Sequence, residues 1–165
     1  GLGEVQVRKD LGAVSGAGRP KTGYPVEQLI EELEAFLGSG ERSSVVIVGA
    51  GKLGRALLDY SGFADYGLEI AAAFDIAVQE SEKSNSGKPI YSMDCFDDFC
   101  KSHPVKIGII TVPAAYAQQV CDRFVQNGIQ AIWCFAPCTL CVPPEIPVQY
   151  ENMALSLAYL NKKID

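Results

Sequence analysis

The chain has 165 residues, room for one ordinary domain and a small appendage. Its composition is globular: 48% hydrophobic, 21% charged and 9% aromatic. No run approaches the ~18 apolar residues of a membrane span, and no N-terminal stretch reads as a signal peptide, so a membrane partner is not expected.

The formal charge of -6 is unevenly spread. Residues 1–24 hold four bases (Arg8, Lys9, Arg19, Lys21) and two acids (Glu4, Asp10), so this segment is +2 and the remainder -8. A polyanion is expected to meet that basic flag and not the acidic body. Residues 5–11 form a short predicted helix with Gln6, Arg8 and Lys9. A Gly-rich ribbon with Arg19 and Lys21 follows. The pair reads as a recognition helix and wing, with a merely decorative basic loop as the alternative.

Residues 26–37 predict an amphipathic helix, with Leu29, Ile30, Leu33, Phe36 and Leu37 on one side and glutamates mainly on the other. From residue 45 onward strands and helices alternate. Val45-Val46-Ile47-Val48 is β-branched throughout, as a strand buried on both faces should be. Residues 52–60 predict a helix presenting Leu53, Ala56, Leu57 and Tyr60 on one face. Further strands are expected at 70–74, 89–91, 106–112 and 129–135, and helices at 94–101 and 114–126. A polar loop is expected at 79–88. Residues 152–160 make a terminal helix apolar on most sides, which must be buried and can find its cover in a partner subunit. This order predicts an α/β fold with a doubly wound parallel sheet. The expected divisions are 1–24, 25–150 and 151–165.

Gly49-Ala50-Gly51-Lys52-Leu53-Gly54 stands between the first strand and its helix. The first glycine permits a sharp turn, the second lets backbone approach a pyrophosphate, and the third lets helix and strand pack closely. Asp75 follows 21 residues after Gly54, at the end of the second strand, where an acid accepts hydrogen bonds from an adenosine ribose. A 2′-phosphate would meet like charge there, so the pattern selects NAD and NADH over their phosphorylated relatives. A nucleotide-free fold, or an S-adenosyl or CoA binder with similar glycines, is the alternative.

Catalysis has little support. His103, the only histidine, precedes the strand at 106–112 and therefore lies at the end opposite the carboxyl-end crevice, as a solvated residue. No Ser-Tyr-Lys set is present. An enzyme is not expected, although a small NAD-dependent oxidoreductase is the runner-up. Cys134, Cys138 and Cys141 have C-x3-C-x2-C spacing, but no fourth ligand is adjacent. They read as buried or incidental thiols, with metal binding and redox sensing both set aside. Six cysteines within largely apolar stretches fit a reducing cytoplasm.

The stretches Gln6-Val7-Arg8-Lys9-Asp10-Leu11, Gly23-Tyr24, Gly49 to Ala56, Ala73-Phe74-Asp75, Thr111-Val112-Pro113, Phe135-Ala136-Pro137 and Glu151-Asn152 occur in an order that resembles the Rex family of redox-sensing transcriptional repressors. The resemblance covers nearly the whole chain. It implies a homodimer with winged helices, NAD(H)-binding Rossmann domains and an exchanged terminal helix, released from operator DNA when NADH displaces NAD+. It implies that Tyr60 lies near the nicotinamide and that Thr111–Pro113 and Phe135–Pro137 line the cleft. Two departures accompany it. The similarity begins inside the winged helix, which implies weak DNA binding by this piece alone. Position 154, where the family pattern has an acid, is Ala154, so a switch that depends on that carboxylate is not available; a nucleotide-binding paralogue without redox switching is the third reading.

Overall fold

The computed structural model describes Ile30 and residues 42–164. The predicted recognition helix and wing, with Gln6, Arg8, Lys9, Arg19 and Lys21, lie outside the described residues, as does the helix at 26–37 apart from Ile30, which is helical and exposed.

Seven strands form one sheet in the order β3-β4-β2-β1-β5-β6-β7. They are β1 (Ser43–Val48), β2 (Leu68–Asp75), β3 (Glu82–Lys83), β4 (Pro89–Ser92), β5 (Val105–Ile110), β6 (Ala131–Cys134) and β7 (Val148–Tyr150). All pairings are parallel except β3 against β4. Without β3, this is the doubly wound order of dinucleotide-binding sheets, and it reverses direction between β1 and β5. Among residues 42–164 the helices are α1 (Lys52–Asp59), α2 (Phe96–Ser102), α3 (Ala114–Gln126) and α4 (Met153–Asn161), with 3-10 turns at Ser61–Tyr66 and Met93–Cys95.

Alternation along β1 sends side chains to two cores. Val46 and Val48 join Phe74, Phe96 and Phe124, beneath α2 and α3. Val45 and Ile47 join Leu58, Ala73 and Ile109, beneath α1. Phe74, Phe96, Phe124, Ile47 and Leu58 are fully buried, each worth about 1.5–3 kcal/mol relative to exposure. The Phe124 ring rests against Gly108, where any Cβ would collide with it, so the glycine inside β5 sets how closely α3 approaches.

The expected strands at 106–112 and 129–135 are shorter in the structure: β5 stops at Ile110 and β6 runs from Ala131 to Cys134, while Thr111 and Phe135 each keep one backbone hydrogen bond to the neighbouring strand. The expected loop at 79–88 contains β3, held against β4. Neither β7 nor the 3-10 turn after Tyr60 has a clear local pattern. The packing face of α1 is also rotated from the expected one: Gly54 and Leu58 are buried, whereas Ala56 and Tyr60 are exposed. Close contact at the third glycine draws that side of the helix inward.

Helix α4 begins under a side-chain cap, Leu155 N–H donating to Asn152 Oδ1 at 2.9 Å. Met153, Leu155, Leu157, Tyr159 and Leu160 are each 57–68% exposed within the single chain, so its own subunit does not supply the cover expected of so apolar a segment. Among the described residues, no helix is long and apolar enough to cross a membrane.

Candidate functional site

The site begins where β1 stops. Gly49 takes a φ of +107°, a region L side chains rarely adopt, and its N–H donates to Phe74 O at 2.8 Å. A Cβ on Gly54 would collide with the Gly49 carbonyl, so the third glycine is required for α1 to lie against the turn. Gly51 differs. A Cβ there would meet nothing within 4 Å, leaving the backbone open to an incoming group.

Gly51 is the N-cap of α1 without a side-chain hydrogen bond, and the first turn carries no acid. The positive end of the helix dipole and its free amides therefore face open space, the arrangement that receives a phosphate. The residues fit a pyrophosphate.

Asp75 lies beside this turn. Ala50 N–H donates to its Oδ2 at 2.6 Å and Ala77 N–H to its Oδ1 at 2.8 Å. A carboxylate offers about four acceptor positions, so two stay open for ribose hydroxyls. Thr111 closes the other side. Its hydroxyl donates to Gly49 O at 2.7 Å and lies 3.2 Å from Val48 O, while its amide donates to Val48 O at 3.0 Å. The threonine thus pins the turn to the end of β5. Phe135 N–H donates to Ile110 O at 2.9 Å, bringing β6 alongside.

Gly49, Ala50, Gly51, Lys52, Leu53, Gly54, Asp75 and Thr111 are therefore one connected unit at the β1–β5 reversal. Val112 and Pro113 lead from it into α3, whose N-cap is Pro113. Ala136 is buried and Pro137 exposed. They border a hollow of about 550 Å³ shared with Cys138, Tyr150, Glu151 and Leu155, whose lining does not include the glycine turn. Tyr60 is not part of that unit. It caps the far end of α1, eight residues or about 12 Å along the helix axis, with its ring over Gly62 and edge-on to Phe63.

Arg55 was not expected to contribute. Its Nε donates to Ala50 O at 2.8 Å, and a terminal nitrogen pairs with Glu82 of β3 at 2.7 Å. The adjoining glycine motif marked Arg55, but Glu82 came from a loop whose pairing is long-range. His103 is exposed, stacked on Phe99 with ring centroids 4.0 Å apart, at the amino end of β5. Among the described residues no group of three His, Cys, Asp or Glu side chains could hold a metal ion. Only Cys121 and Cys134 of the six cysteines are buried, fewer than the apolar sequence context implies.

The family described as CoA binding domain matches residues 40–138. The redox-sensing transcriptional repressor Rex of Treponema denticola is 40% identical over 159 residues, which cover 96% of this chain and 76% of that protein. That of Bacteroides thetaiotaomicron is 41% identical over 160 residues, covering 97% and 73%. This chain belongs to the Rex family. The structure of the Rex-family repressor RSP in complex with β-NAD+ and operator DNA superposes with a TM-score of 0.79 at 31% identity, over 99% of this chain and 75% of that one. RSP in complex with β-NADH gives 0.80 at 31% identity, over 97% and 74%. The Rex fold is thus present in the doubly wound sheet expected of the sequence.

Proposed function

We propose that this chain is the cofactor-sensing part of a dimeric repressor that binds operator DNA and lets go when NADH replaces NAD+. The observation that carries this reading is the unit of Gly51, Asp75 and Thr111 at the β1–β5 reversal: an open helix N-terminus for a pyrophosphate beside a carboxylate with spare acceptor positions. Solved relatives with NAD+, NADH and operator DNA support it, as do curated relatives named as redox-sensing repressors. Those relatives are repressors, which favours regulation over the oxidoreductase alternative.

In this reading Gly49 to Gly54 hold the pyrophosphate and Asp75 orients the adenosine ribose. Thr111–Pro113 and Phe135–Pro137 form the wall toward the nicotinamide. Tyr60, at the far end of α1 from the turn, lies near the nicotinamide. Gln6, Arg8, Lys9, Arg19 and Lys21 contact DNA. The segments 1–24, 25–150 and 151–165 divide these tasks as DNA contact, cofactor binding and dimerisation. The exposed apolar face of α4 supports the last of them. The protein acts on DNA and works in the bacterial cytoplasm.

Only a difference in affinity between states can drive the release. Moving the population from 1:99 to 99:1 requires about 10⁴-fold preference, roughly 5.5 kcal/mol. The decisive measurement is a gel shift of the full-length protein on the operator of the solved relative with each cofactor. Loss of the shifted band with NADH but not NAD+ is expected; equal binding with either overturns the sensing role. Binding should also weaken steeply with salt, about one log–log unit per phosphate neutralised.

A further inference from the structure

The end of β6 and the loop after it bring two cysteines to one carbonyl. Cys138 N–H donates to the Ala136 carbonyl oxygen at 2.8 Å. The Cys134 thiol lies 3.7 Å from the same oxygen, on the interior side. Cys138 packs against the apolar cluster that contains Cys134, four residues before it. The loop is clamped from below: Gln118 of α3 donates to Cys141 O at 2.9 Å and accepts from Cys141 N–H at 2.8 Å. The two sulfurs differ in access. Cys134 is fully buried, while Cys138 is half-buried and borders the hollow beside Pro137.

We propose that Cys134 and Cys138 form an oxidisable dithiol whose substrate is a small hydroperoxide entering by that hollow. The Cys138 thiolate attacks the peroxide oxygen; the O–O bond breaks, the alcohol (water, from hydrogen peroxide) departs with a proton, and Cys138 becomes a sulfenic acid. Cys134 then attacks the Cys138 sulfur, an S–S bond forms and water leaves. Overall, two thiols and one hydroperoxide give a disulfide, an alcohol and water. Burial pushes the Cys134 thiol up from its ordinary range, so Cys138 is the first to react and the Cys134 proton leaves with the sulfenic hydroxyl as water.

The span so closed contains Phe135, Ala136 and Pro137, the expected wall of the cofactor cleft. Oxidation therefore reshapes that wall and alters NADH affinity, a consequence that rests on the function proposed above, whereas the dithiol itself does not.

The test treats the reduced protein with one equivalent of hydrogen peroxide, alkylates the remaining thiols and maps the unreduced digest. The expected result is a 134–138 cross-link and two of the six cysteines lost to alkylation. In C134A, Cys138 should instead be trapped as a dimedone-labelled sulfenic acid. Oxidation confined to the exposed Cys95 or Cys141, or a cross-link from Cys138 to another partner, overturns the proposal. NADH titration of both redox forms reads the coupling, with a change of about tenfold in Kd expected, reversed by dithiothreitol. Equal affinity in protein carrying the mapped bond overturns the coupling, and absence of NADH binding in the reduced form counts separately against the cofactor reading.

Discussion

The Ala50 amide and the Asp75 carboxylate meet at 2.6 Å, so the acid expected to read a ribose also ties the glycine turn to the end of β2. One side chain therefore has two tasks, and a substitution tests both. Asp75→Asn keeps one oxygen for a backbone donor but loses the charge. Hydrogen bonds to charged groups are worth about 1.5–3 kcal/mol, so NADH affinity should fall roughly tenfold to a hundredfold. NADPH should gain relative to NADH, because the like charge facing a 2′-phosphate is gone. Calorimetry with both cofactors reads the two effects; an unchanged preference would remove Asp75 from the recognition of ribose.

The second and third glycines of the turn separate packing from binding. Gly54→Ala drives a methyl into the Gly49 carbonyl, backbone against backbone with no flexible side chain to give way. Overpacking of this kind costs about 1–3 kcal/mol, visible as a lower denaturation midpoint. Gly51→Ala meets empty space at φ -71°, a value alanine adopts freely. Its melting temperature should match that of the parent, while NADH binding weakens because the new methyl occupies the pyrophosphate's approach. Equal losses of stability in both variants would refute the distinction.

These elements differ in how openly the sequence displays them. The β1 run, the glycine turn and the β-α alternation are local patterns, and all three stand where expected. Asp75 could be found because its distance in sequence reflects one β-α-β unit. Glu82 could not: its partner Arg55 is 27 residues away, and a two-residue strand has no periodicity to detect. Strand β7 has only three residues, and it pairs along the edge of β6. The 3-10 turn after Tyr60 depends on Gly67, in the left-handed region at φ +70°, ending it before β2.

Asp59 gives a pH prediction. Hydrogen bonds from Ser84 and Ser86 favour its ionised form and lower its pKa to about 2. A depressed folded-state value contributes stability that is present above the unfolded value of 3.8 and lost as pH falls toward about 2. Urea denaturation at pH 5 and pH 3 should show a drop in the parent protein. Asp59→Asn should be less stable at pH 5 and show a smaller drop. An identical drop in the variant would mean that the serine contacts do not persist in solution.

Position 154 lies in the first turn of α4, one residue after Met153. An acid near a helix N-terminus is favourable, so Ala154→Asp should leave folding intact. If the missing family carboxylate limits switching, the variant should widen the difference in operator affinity between the NAD+ and NADH forms. Gel shifts with both cofactors measure that ratio, and an unchanged ratio would show that redox response here does not depend on an acid at 154.

The exposed apolar surface of α4 leads to the last prediction. Leu155, Leu157 and Leu160 are 65%, 68% and 57% exposed, on a helix whose polar residues gather on no single face. Covering a leucine completely is worth about 1.5–3 kcal/mol, so covering several by a second copy supplies enough to hold a dimer. Leu157→Glu places a charge in that buried surface. Without a partner for the carboxylate, its desolvation opposes association, and the dimer constant should weaken by at least about tenfold. Light scattering across a dilution series reads the constant, and the denaturation midpoint of the monomer should stay unchanged because the side chain touches nothing within its own subunit's core. A parent protein that is monomeric throughout the series would instead mean that α4 is covered by something other than a second copy.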